Sequence, residues 1–546
     1  MRKTRNNFKI LSATMLTSVV ILGMPANADE IGNIKTPNIS WDLTTENSSN
    51  SIEITNPDGS SQYWQYNYKM PENYNVMSTI IPANALTSEN VNNVLFKNIN
   101  LSDGDKVISN TENKSDLDIN IDMLNVNVPV NSQHKQSWGI RNSGELGNIT
   151  GSFIDNKFVG SSYSYGALFH NTGNIASISG NFINNRVETD DYILSAGILN
   201  RVGKIESING NFIGNKAVSK NNFILGGVIR NASPIGKISA NFIANGAISY
   251  SKNVDGGAIS NSGTIDEIIN SNFYGNYAIS EAGDLVRGGA ILSATTLNIT
   301  ADGEKSIFKG NYTKSGDIID DNAIYSVRGA AVNFNTKNNG SIQMYDNIRG
   351  DEAYSVNITG DGSGTFGMYN DMYDANLSVG NTTLNTVNNQ VHTYNVNTLT
   401  LTADTNLVAD VDLKNKDMDK FTASTYGQHQ GNLNVIGMNL LSDAKEDKTE
   451  ILFAQQGLKD NVANKTDKLP GSYQTAYTPI YKYSVTYDNR EDGGYFVFNK
   501  GGLNGSNQSD AFNPAVLSAP VSSVAASQAT INETFKYVFE HADAFT

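Results

Sequence analysis

Residues 140–156 read IRNSGELGNITGSFIDN, and this segment returns four times as LFHNTGNIASISGNFINN (168–185), ILNRVGKIESINGNFIGN (198–215), VIRNASPIGKISANFIAN (228–245) and AISNSGTIDEIINSNFYGN (258–276). Every copy ends in Phe-x-x-Asn, with the pairs Phe153 and Asn156, Phe182 and Asn185, Phe212 and Asn215, Phe242 and Asn245, and Phe273 and Asn276. The phenylalanines recur with a nearly constant period, and a degenerate sixth copy follows at Phe308 after a longer gap. This period of about 30 residues is typical of solenoid proteins, in which each repeat stacks on its neighbour.

Each repeat predicts short β-strands joined by turns. A small-residue segment such as Gly256-Gly257-Ala258-Ile259 comes first, a short alternating run such as 205–208 follows, and Phe-x-x-Asn closes the unit. Alternation places every second side chain on one face, and Gly, Asn and Ser mark the turns between the runs. No repeat has apolar residues at helical spacing over ten or more positions. The repeats therefore predict an all-β fold.

Stacked repeats of this kind predict a right-handed parallel β-helix whose coils each have three strands and three turns. Phe182 then lies over Phe153 and under Phe212, with roughly 4.8 Å between coils. Gly257 and Gly289 fit where the coil turns tightly, because glycine also adopts positive φ. The repeated corner asparagines tolerate the left-handed region and can bond to one another in a ladder. We therefore interpret the repeated Phe, Asn and Gly residues as structural.

Residues 1–28 predict a secretory signal peptide. Arg2 and Lys3 begin a basic segment, residues 10–23 are mostly apolar, and Ala26-Asn27-Ala28 forms a cleavage site after Ala28. The alternative is a membrane anchor, but the apolar run is shorter than the roughly 20 residues that span a bilayer. We expect the mature chain to be exported.

The remaining chain divides into four predicted regions. Residues 29–136 form an N-terminal cap, which shields the open end of the solenoid, and irregular first coils. Residues 137–440 form the β-helix, with repeats of about 30 residues up to about residue 312 and coils nearer to about 20 residues after it. Residues 441–500 form C-terminal capping strands, and 501–546 form a linker and a short amphipathic helix.

Composition excludes several classes of partner. The net charge is −15, and it becomes −19 once the four basic residues of the signal peptide are removed. An acidic chain of this kind does not favour nucleic acid or an anionic membrane surface as a partner. The chain contains no cysteine, so it has no disulfides. We identify no cofactor motif.

Three segments carry a resemblance to a known family. The Gly-Gly-Ala-Ile motifs at 256–259 and 288–291, with Phe-x-x-Asn at 273–276 and 308–311, resemble the polymorphic outer-membrane proteins and related autotransporter passengers. Residues 408–420 are similar to the acidic segment that ends such passengers, and residues 512–541 to the linker that leads into their barrel. The resemblance implies an adhesin-like passenger of the type V secretion route, associated with virulence.

The resemblance also sets expectations for partners and location. It implies a host-surface ligand, either glycan or protein, and an outer-membrane barrel as translocator. The roughly twelve barrel strands of that family do not follow Thr546. We therefore expect a truncated gene or a barrel on a separate chain. The passenger would be at the cell surface, in the outer membrane or extracellular, or periplasmic if it is stranded.

The segments that differ between repeats are the predicted ligand-contact loops, which we call the insert loops: 159–165, 187–193, 218–223 and 249–254. Their sequences vary while the framework around them repeats. This contrast predicts a binding protein rather than an enzyme. A third alternative is a truncated passenger without function.

The enzymatic alternative is a carbohydrate-active β-helix, which needs converging carboxylates. The acidic pairs are Asp190-Asp191, Asp320-Asp321 and Asp410 with Asp412. None has a recognisable basic partner in the sequence. The histidines are scattered (His134, His170, His392, His429 and His541), and we expect His170 to lie in a solvated turn.

Two further motifs have alternative interpretations. Gly360-Asp361-Gly362-Ser363-Gly364 is close to a serine-protease motif, but an extra glycine favours a turn. Asp410, Asp412, Asp417 and Asp419 provide oxygen ligands for Ca²⁺, although the EF-hand spacing is absent. We predict no metal site.

Overall fold

The computed structural model describes residues 36–501 apart from 45–47, 49, 56–59, 82–85, 103, 130–137, 162, 164–167, 352–353, 463–474 and 479–480. The predicted signal peptide with Ala28 and most of the predicted linker and C-terminal helix (502–546) lie outside the described residues. Strands dominate, and the described helices are Ser88–Val91 and the 3-10 helix Lys459–Asn461. No helix in these ranges is long and apolar enough to cross a membrane. The fold is a parallel β-helix, as predicted.

Contacts divide the chain into two compact units. The first comprises Met1–Asp266, Ser271–Leu292 and Phe308–Ile324, and the second comprises Glu267–Asn270, Ser293–Ile307 and Tyr325–Thr546. Four strands have residues in both units: Ile265–Ile269, Ile291–Ser293, Lys305–Lys309 and Asn322–Ser326.

The first unit contains three main parallel sheets that run along the stacked coils. The long sheet has strands Asn75–Met77, Asn92–Lys97, Asn113–Lys114, Ile119–Leu124, Glu145–Ile154, Asn174–Ile183, Ile205–Ile213, Ile235–Ile243 and Asn272–Tyr274. The second sheet has Asn127–Pro129, Lys157–Gly160, Arg186–Thr189, Lys216–Ser219, Gly246–Ser249, Tyr277–Ser280 and Tyr312–Ser315, with Ile318–Asp320 antiparallel at its edge. The third sheet has Lys106–Asn110, Trp138–Asn142, Phe169–Asn171, Ile198–Asn200, Ile229–Asn231 and Ile259–Asn261. A narrow fourth sheet pairs Ile224–Leu225, Val254–Asp255 and Val286–Arg287.

The register of the long sheet follows the sequence repeat. Phe153 pairs with Phe182, Phe182 with Phe212, and Phe212 with Phe242. Parallel strands in this register place identical residues directly above one another. The predicted stacking of the phenylalanines is therefore confirmed.

An antiparallel sheet, which we call the lateral sheet, consists of Ile39–Thr44, Ser51–Thr55 and Ser61–Tyr68. The Tyr66 hydroxyl donates to Asp155, and the Tyr68 hydroxyl donates to Asp122. A side chain at Gly214 would collide with Ile52, because an added Cβ would lie 2.8 Å from its Cγ2 atom. This sheet lies against the side of the coils.

Apolar side chains that precede the first regular coils are buried. Ile81, Leu86 and Val91 are 4%, 3% and 0% exposed. The helix Ser88–Val91 contacts strands Asn92–Lys97 and Ile119–Leu124. This irregular segment supplies apolar cover at the beginning of the solenoid.

The second unit has shorter coils followed by an antiparallel sheet. Its coil strands are Leu297–Asp302, Val332–Lys337, Ser341–Met344, Asn347–Gly350, Ser355–Gly360, Thr365–Met368, Asn376–Val379, Thr383–Asn385, Thr393–Leu401, Thr405–Asp412, Asp417–Met418, Lys420–Tyr426 and Leu433–Ser442. Val332 pairs with Val356, and Val356 pairs with Leu377, so counterparts lie closer together in sequence than in the first unit. The terminal sheet contains Lys448–Ala454, Thr475–Tyr477, Lys482–Asn489 and Gly494–Lys500. The predicted shortening of the later coils is therefore present.

Candidate binding loops

The repeated phenylalanines form one buried column inside the first unit. Neighbouring rings are stacked with centroids 4.4–4.9 Å apart and interplanar angles of 17° or less. The members are Phe153, Phe182, Phe212, Phe242, Phe273 and Phe308, and each is 0% exposed. Because no ring reaches solvent, the column holds the coils together and contacts no ligand.

The asparagines of Phe-x-x-Asn form a buried ladder beside that column. Each side-chain amide donates to the amide oxygen of the asparagine one coil further on, at 2.8–2.9 Å. The same amide donates to the carbonyl of a phenylalanine one coil earlier for Asn185, Asn215, Asn245 and Asn276, and Asn156 donates to Met123. The ladder therefore pairs polar groups that would otherwise be buried without partners.

A second ladder runs through the asparagines that close the third-sheet strands. Its members are Asn110, Asn142, Asn171, Asn200, Asn231 and Asn261, joined by side-chain bonds of 2.8–3.0 Å. All of them are at most 1% exposed. The third-sheet corners thus repeat the bonding pattern of the first ladder.

The left-handed corner lies one residue before the position that we expected. Asp155, Asn184 and Ala244 have φ of 56°, 52° and 51°, and Gly214 has 67°. The following asparagine is not among the described residues with positive φ, so that part of the prediction is wrong. The ladder asparagine uses its own backbone N–H and its amide to reach the next coil, and the preceding residue makes the turn.

The paired glycines have two different roles. Gly256 and Gly288 have φ of 75° and 65°, a conformation that favours glycine. Gly257 and Gly289 allow close backbone approach. A Cβ at Gly257 would lie 2.0 Å from the Gly289 carbonyl oxygen, and a Cβ at Gly289 would lie 2.5 Å from the Tyr312 nitrogen. Both members of each pair are therefore structural.

The insert loops are anchored by a row of buried hydroxyls, which we call the hydroxyl ladder: Thr189, Ser219, Ser249 and Ser280, each 0% exposed. Ser219 donates to the Asp191 carbonyl at 2.8 Å and accepts from the Asn222 backbone N–H at 3.0 Å. Ser249 donates to the Asn222 carbonyl at 2.8 Å. Each of these two hydroxyls thus joins the loop of the preceding coil to its own coil.

Sequence analysis missed the hydroxyl ladder, although a signal was present. Each member follows the repeat phenylalanine at the same offset, as Ser219 follows Phe212 and Ser249 follows Phe242. A small polar residue at a constant offset inside a variable loop indicates an anchor. The loops therefore vary at their tips and are fixed at their bases.

Three rings on successive loops form a stack, which we call the aromatic ladder: Tyr163, Tyr192 and Phe223. Tyr163 and Tyr192 have centroids 4.8 Å apart and an interplanar angle of 4°, and Tyr192 and Phe223 are at 5.2 Å and 10°. All three rings are half-buried. Part of each ring is therefore exposed to solvent.

The residues just before two of these rings set their positions. The Asp191 carboxylate accepts from the Tyr192 backbone N–H at 2.8 Å, and the Asn222 side chain accepts from the Phe223 backbone N–H at 2.9 Å. The Asn222 amide also donates to Asp191 at 2.8 Å. This local network fixes the rings at the spacing of the coils.

Large apolar side chains are also exposed in and next to the insert loops. Val159, Tyr250 and Leu285 are 47%, 55% and 50% exposed. Apolar groups mark an interaction surface when they are contiguous, and here the contiguous group is the aromatic ladder. The insert loops, with the next loop around Leu285, are therefore the candidate binding site.

The carboxylates singled out in the sequence interact with groups close to each of them. Asp190 forms a salt bridge with Lys220 at 2.8 Å, and Asp191 belongs to the loop network described above. Burial, and then the neighbouring Asp320, raises the pKa of Asp321. Asp361 accepts from the Ser363 backbone N–H and hydroxyl, so residues 360–364 form a turn and the pKa of Asp361 is lowered to about 2, chiefly by the Asn338 backbone N–H.

Carboxylates of the acidic segment at 410–419 accept hydrogen bonds from backbone N–H groups. Asp410 accepts from the N–H of Asn388 at 2.8 Å, and Asp419 accepts from the N–H of Asp410 and of His392 at 2.8 and 2.7 Å. Asp417 forms a salt bridge with Lys420. N–H donors point positive charge at these carboxylates, where a cation would need to lie. Among the described residues, no three His, Cys, Asp or Glu side chains gather at a possible metal site.

The histidines have different environments. His134 and His541 lie outside the described residues. His170 is 5% exposed, so the expected solvated turn is wrong: it lies in a strand and stacks on Trp138. His429 accepts from the Leu401 N–H at 3.0 Å. His392 forms an ion pair with Asp371 at 2.8 Å, which sequence analysis did not detect because no motif links the two positions.

The His392–Asp371 pair predicts a pH-dependent contribution to stability. The bond to Asp371 raises the pKa of His392 above 6.5, and the bond to His392 lowers the pKa of Asp371 below 3.8. The raised histidine pKa stabilises the folded state at pH below 6.5, and this contribution is lost as pH rises through the folded pKa. The lowered aspartate pKa stabilises it above 3.8, and this is lost in acid. We expect His392→Gln to lower the free energy of unfolding by about 0.5–1 kcal/mol at pH 5, since the pair is partly exposed.

Chemical denaturation of both proteins between pH 4 and 9 measures this difference. It should shrink toward zero as the pH rises above the folded pKa of His392. Asp371→Asn is the matched variant, and the double variant should lose no more than either single one. A difference that stays constant across this range would contradict the assignment.

Comparisons of the chain with protein-family models, curated proteins and solved structures found no match. The resemblance to autotransporter passengers therefore stays a prediction from the motifs at 256–311 and the two segments after them.

Proposed function

We propose that the protein is an exported, autotransporter-type β-helix passenger that binds a ligand, in the manner of an adhesin, through its insert loops. The observation that carries this proposal is the aromatic ladder, formed by half-buried rings on three successive loops. The signal-peptide pattern at 1–28 supports export.

The contrast between the framework and the loops supports binding as the activity. The repeated phenylalanines and asparagines are buried and satisfied by one another. Large apolar side chains are exposed at Val159, Tyr250 and Leu285, in or next to the insert loops. A surface that is rigid at its base and apolar at its tips loses little conformational entropy when a ligand binds.

Substitution of the central ring tests the role of the ladder. Tyr192→Ala removes the ring that contacts both neighbours, so we expect the affinity for a ligand to fall at least tenfold, as for a central interface residue. The measurement is binding of the full exported chain to a glycan array and to purified extracellular-matrix proteins. Tyr373→Ala is the control, because this tyrosine is 40% exposed and lies outside the insert loops.

The control should retain parental binding, and both variants should keep the parental thermal midpoint. Equal binding by Tyr192→Ala and the parent would overturn the ladder as the binding site. Export is tested separately by fractionating native cells and probing them with an antibody to residues 137–312. A signal at the surface or in the medium supports the passenger, and a signal confined to the periplasm contradicts it.

A further inference from the structure

Four side chains in the first unit form a group that we call the basic cluster: Lys106, Trp138, Arg141 and His170. They belong to neighbouring strands of the third sheet, where Trp138 pairs with Lys106 and Arg141 pairs with His170. The cluster is separate from the aromatic ladder in sequence and in sheet. It rests on its own contacts and is independent of the proposed function.

Trp138 lies at the centre of the cluster. Its ring stacks on the His170 imidazole with centroids 4.6 Å apart and an interplanar angle of 27°. The Lys106 Nζ lies 5.3 Å from the indole centroid, and the Arg141 guanidinium carbon lies 5.6 Å from it. An aromatic ring thus brings two cations and an imidazole together.

Three side chains of the cluster have buried polar atoms that find no hydrogen-bond partner among the described residues, and the Trp138 indole nitrogen is one of these atoms. His170 is 5% exposed, and within the part of the chain that the structure describes neither ring nitrogen has a hydrogen-bond partner. The Arg141 Nε atom is also buried without a partner. Lys106 donates to the Gly104 carbonyl, but in the part of the chain that the structure describes neither Lys106 nor Arg141 forms a salt bridge with a carboxylate. Unpaired buried polar groups are rare and require an explanation.

Positive charge accumulates here in a protein that is strongly acidic overall, with a net charge of −15. Burial, followed by Arg141 and Arg201, lowers the pKa of His170 to about 4. Burial, followed by Arg141, lowers the pKa of Lys106. Lys106 and Arg141 therefore repel one another, and Asp105 offsets part of this effect at Lys106, while His170 is uncharged at neutral pH. An anion beside the two cations would remove the remaining repulsion.

We propose that the basic cluster binds the acidic group of a ligand, the carboxylate or sulfate of an acidic sugar. The two terminal nitrogens of the Arg141 guanidinium offer N–H donors that match an oxyanion, the Lys106 ammonium adds a further donor, and the neutral His170 ring adds one N–H. A long polyanion is disfavoured because the rest of the chain repels it. A single acidic group on an otherwise neutral saccharide fits both conditions.

The test compares three probes: D-glucuronate, inorganic sulfate and neutral D-glucose. Each is titrated into the full exported chain by calorimetry, and the thermal midpoint is followed in parallel, because a ligand of the folded state raises it. We expect glucuronate to bind and glucose not to bind. Arg141→Gln should lower the affinity for glucuronate at least about tenfold, the size expected for one charge-assisted hydrogen bond.

Arg186→Gln is the matched control, because it removes the same charge from an arginine that is already paired with Glu188 at 2.9 Å. It should bind glucuronate within about twofold of the parent. Without ligand, Arg141→Gln should be as stable as the parent or more stable, because the repulsion between Arg141 and Lys106 is relieved. A lower thermal midpoint would show that Arg141 has a purely structural role in packing against Trp138, and it would overturn the site.

The remaining outcomes are also decisive. Equal weakening by Arg141→Gln and Arg186→Gln would overturn the site, since it would show general attraction between charges. Binding of sulfate as well as glucuronate supports recognition of the oxyanion. Binding of sulfate without glucuronate, or of neither probe, overturns the proposal of an acidic sugar.

Discussion

Phe212→Ala should lower the free energy of unfolding by about 3–5 kcal/mol, the usual range when a buried aromatic side chain is truncated and leaves a cavity. The ring is 0% exposed and lies in the middle of the column, with centroids 4.4 Å from Phe182 and 4.9 Å from Phe242. The truncation removes both stacked contacts at once. Neighbouring coils are hydrogen-bonded along their length, so they cannot close over the cavity.

The measurement is the urea midpoint and slope of the full exported chain, with its thermal midpoint. Phe212→Leu should lose less, because more of the volume is kept. Ile318→Ala is the exposed control: this side chain is 74% exposed, and its loss should change stability by no more than about 0.5 kcal/mol. If Phe212→Ala and Ile318→Ala have the same urea and thermal midpoints, the column does not hold the coils together.

Asn215→Ala should destabilise the protein by a similar amount, about 3–5 kcal/mol, through polar groups that are left without partners. Asn215 is 1% exposed. Its side-chain oxygen accepts from the backbone N–H and the amide of Asn185 at 3.1 and 2.8 Å. Its amide donates to the Phe182 carbonyl at 2.8 Å and to Asn245 at 2.9 Å. Alanine removes all four bonds and leaves buried donors and acceptors on three other residues.

Two variants separate the ladder from a simple loss of volume. Asn215→Asp keeps the size and the acceptor but replaces the donating amide, so we expect at least as large a loss at neutral pH. Asn221→Ala changes an exposed asparagine in the neighbouring loop and should be nearly neutral. Denaturation curves for the three proteins at one pH provide the comparison. A neutral Asn215→Asp would show that the amide donors do not matter.

The parts of the fold that repeat could be predicted from the sequence. A solenoid places each residue over its counterpart one period away, so the column at Phe182 and Phe212 and the ladder at Asn185 and Asn215 follow from the spacing alone. The hydroxyl ladder at Ser219 and Ser249 follows from the same spacing. Comparing the residues at a fixed offset after each repeat phenylalanine would have located it.

The features that do not repeat could not be predicted in this way. Arg141, His170 and Leu199 occupy equivalent positions in three repeats, and they differ in charge and size. The spacing places these positions over one another, but the residue types do not repeat, so no pattern singles out Arg141 and His170. The lateral sheet is a similar case, because no periodicity connects Tyr66 to Asp155. The aromatic ladder lies between these cases. Its loops were predicted from the sequence, but the stacking of its rings could be recognised only from the register of the coils in the structure.

The lateral sheet changes how the stacked coils share their stability. In an ordinary solenoid each repeat interacts only with its neighbours, so a local opening spreads no further than the next interface. Here Tyr68, Tyr66 and Ile52 contact Asp122, Asp155 and Gly214, which belong to three different coils, and the Asn184 amide of a fourth coil donates to the Tyr66 hydroxyl at 3.1 Å. One small sheet thus acts as a clasp across four rungs. Opening any one of them strains the clasp on the other three, so this segment of the solenoid behaves as one cooperative block instead of a series of independent steps.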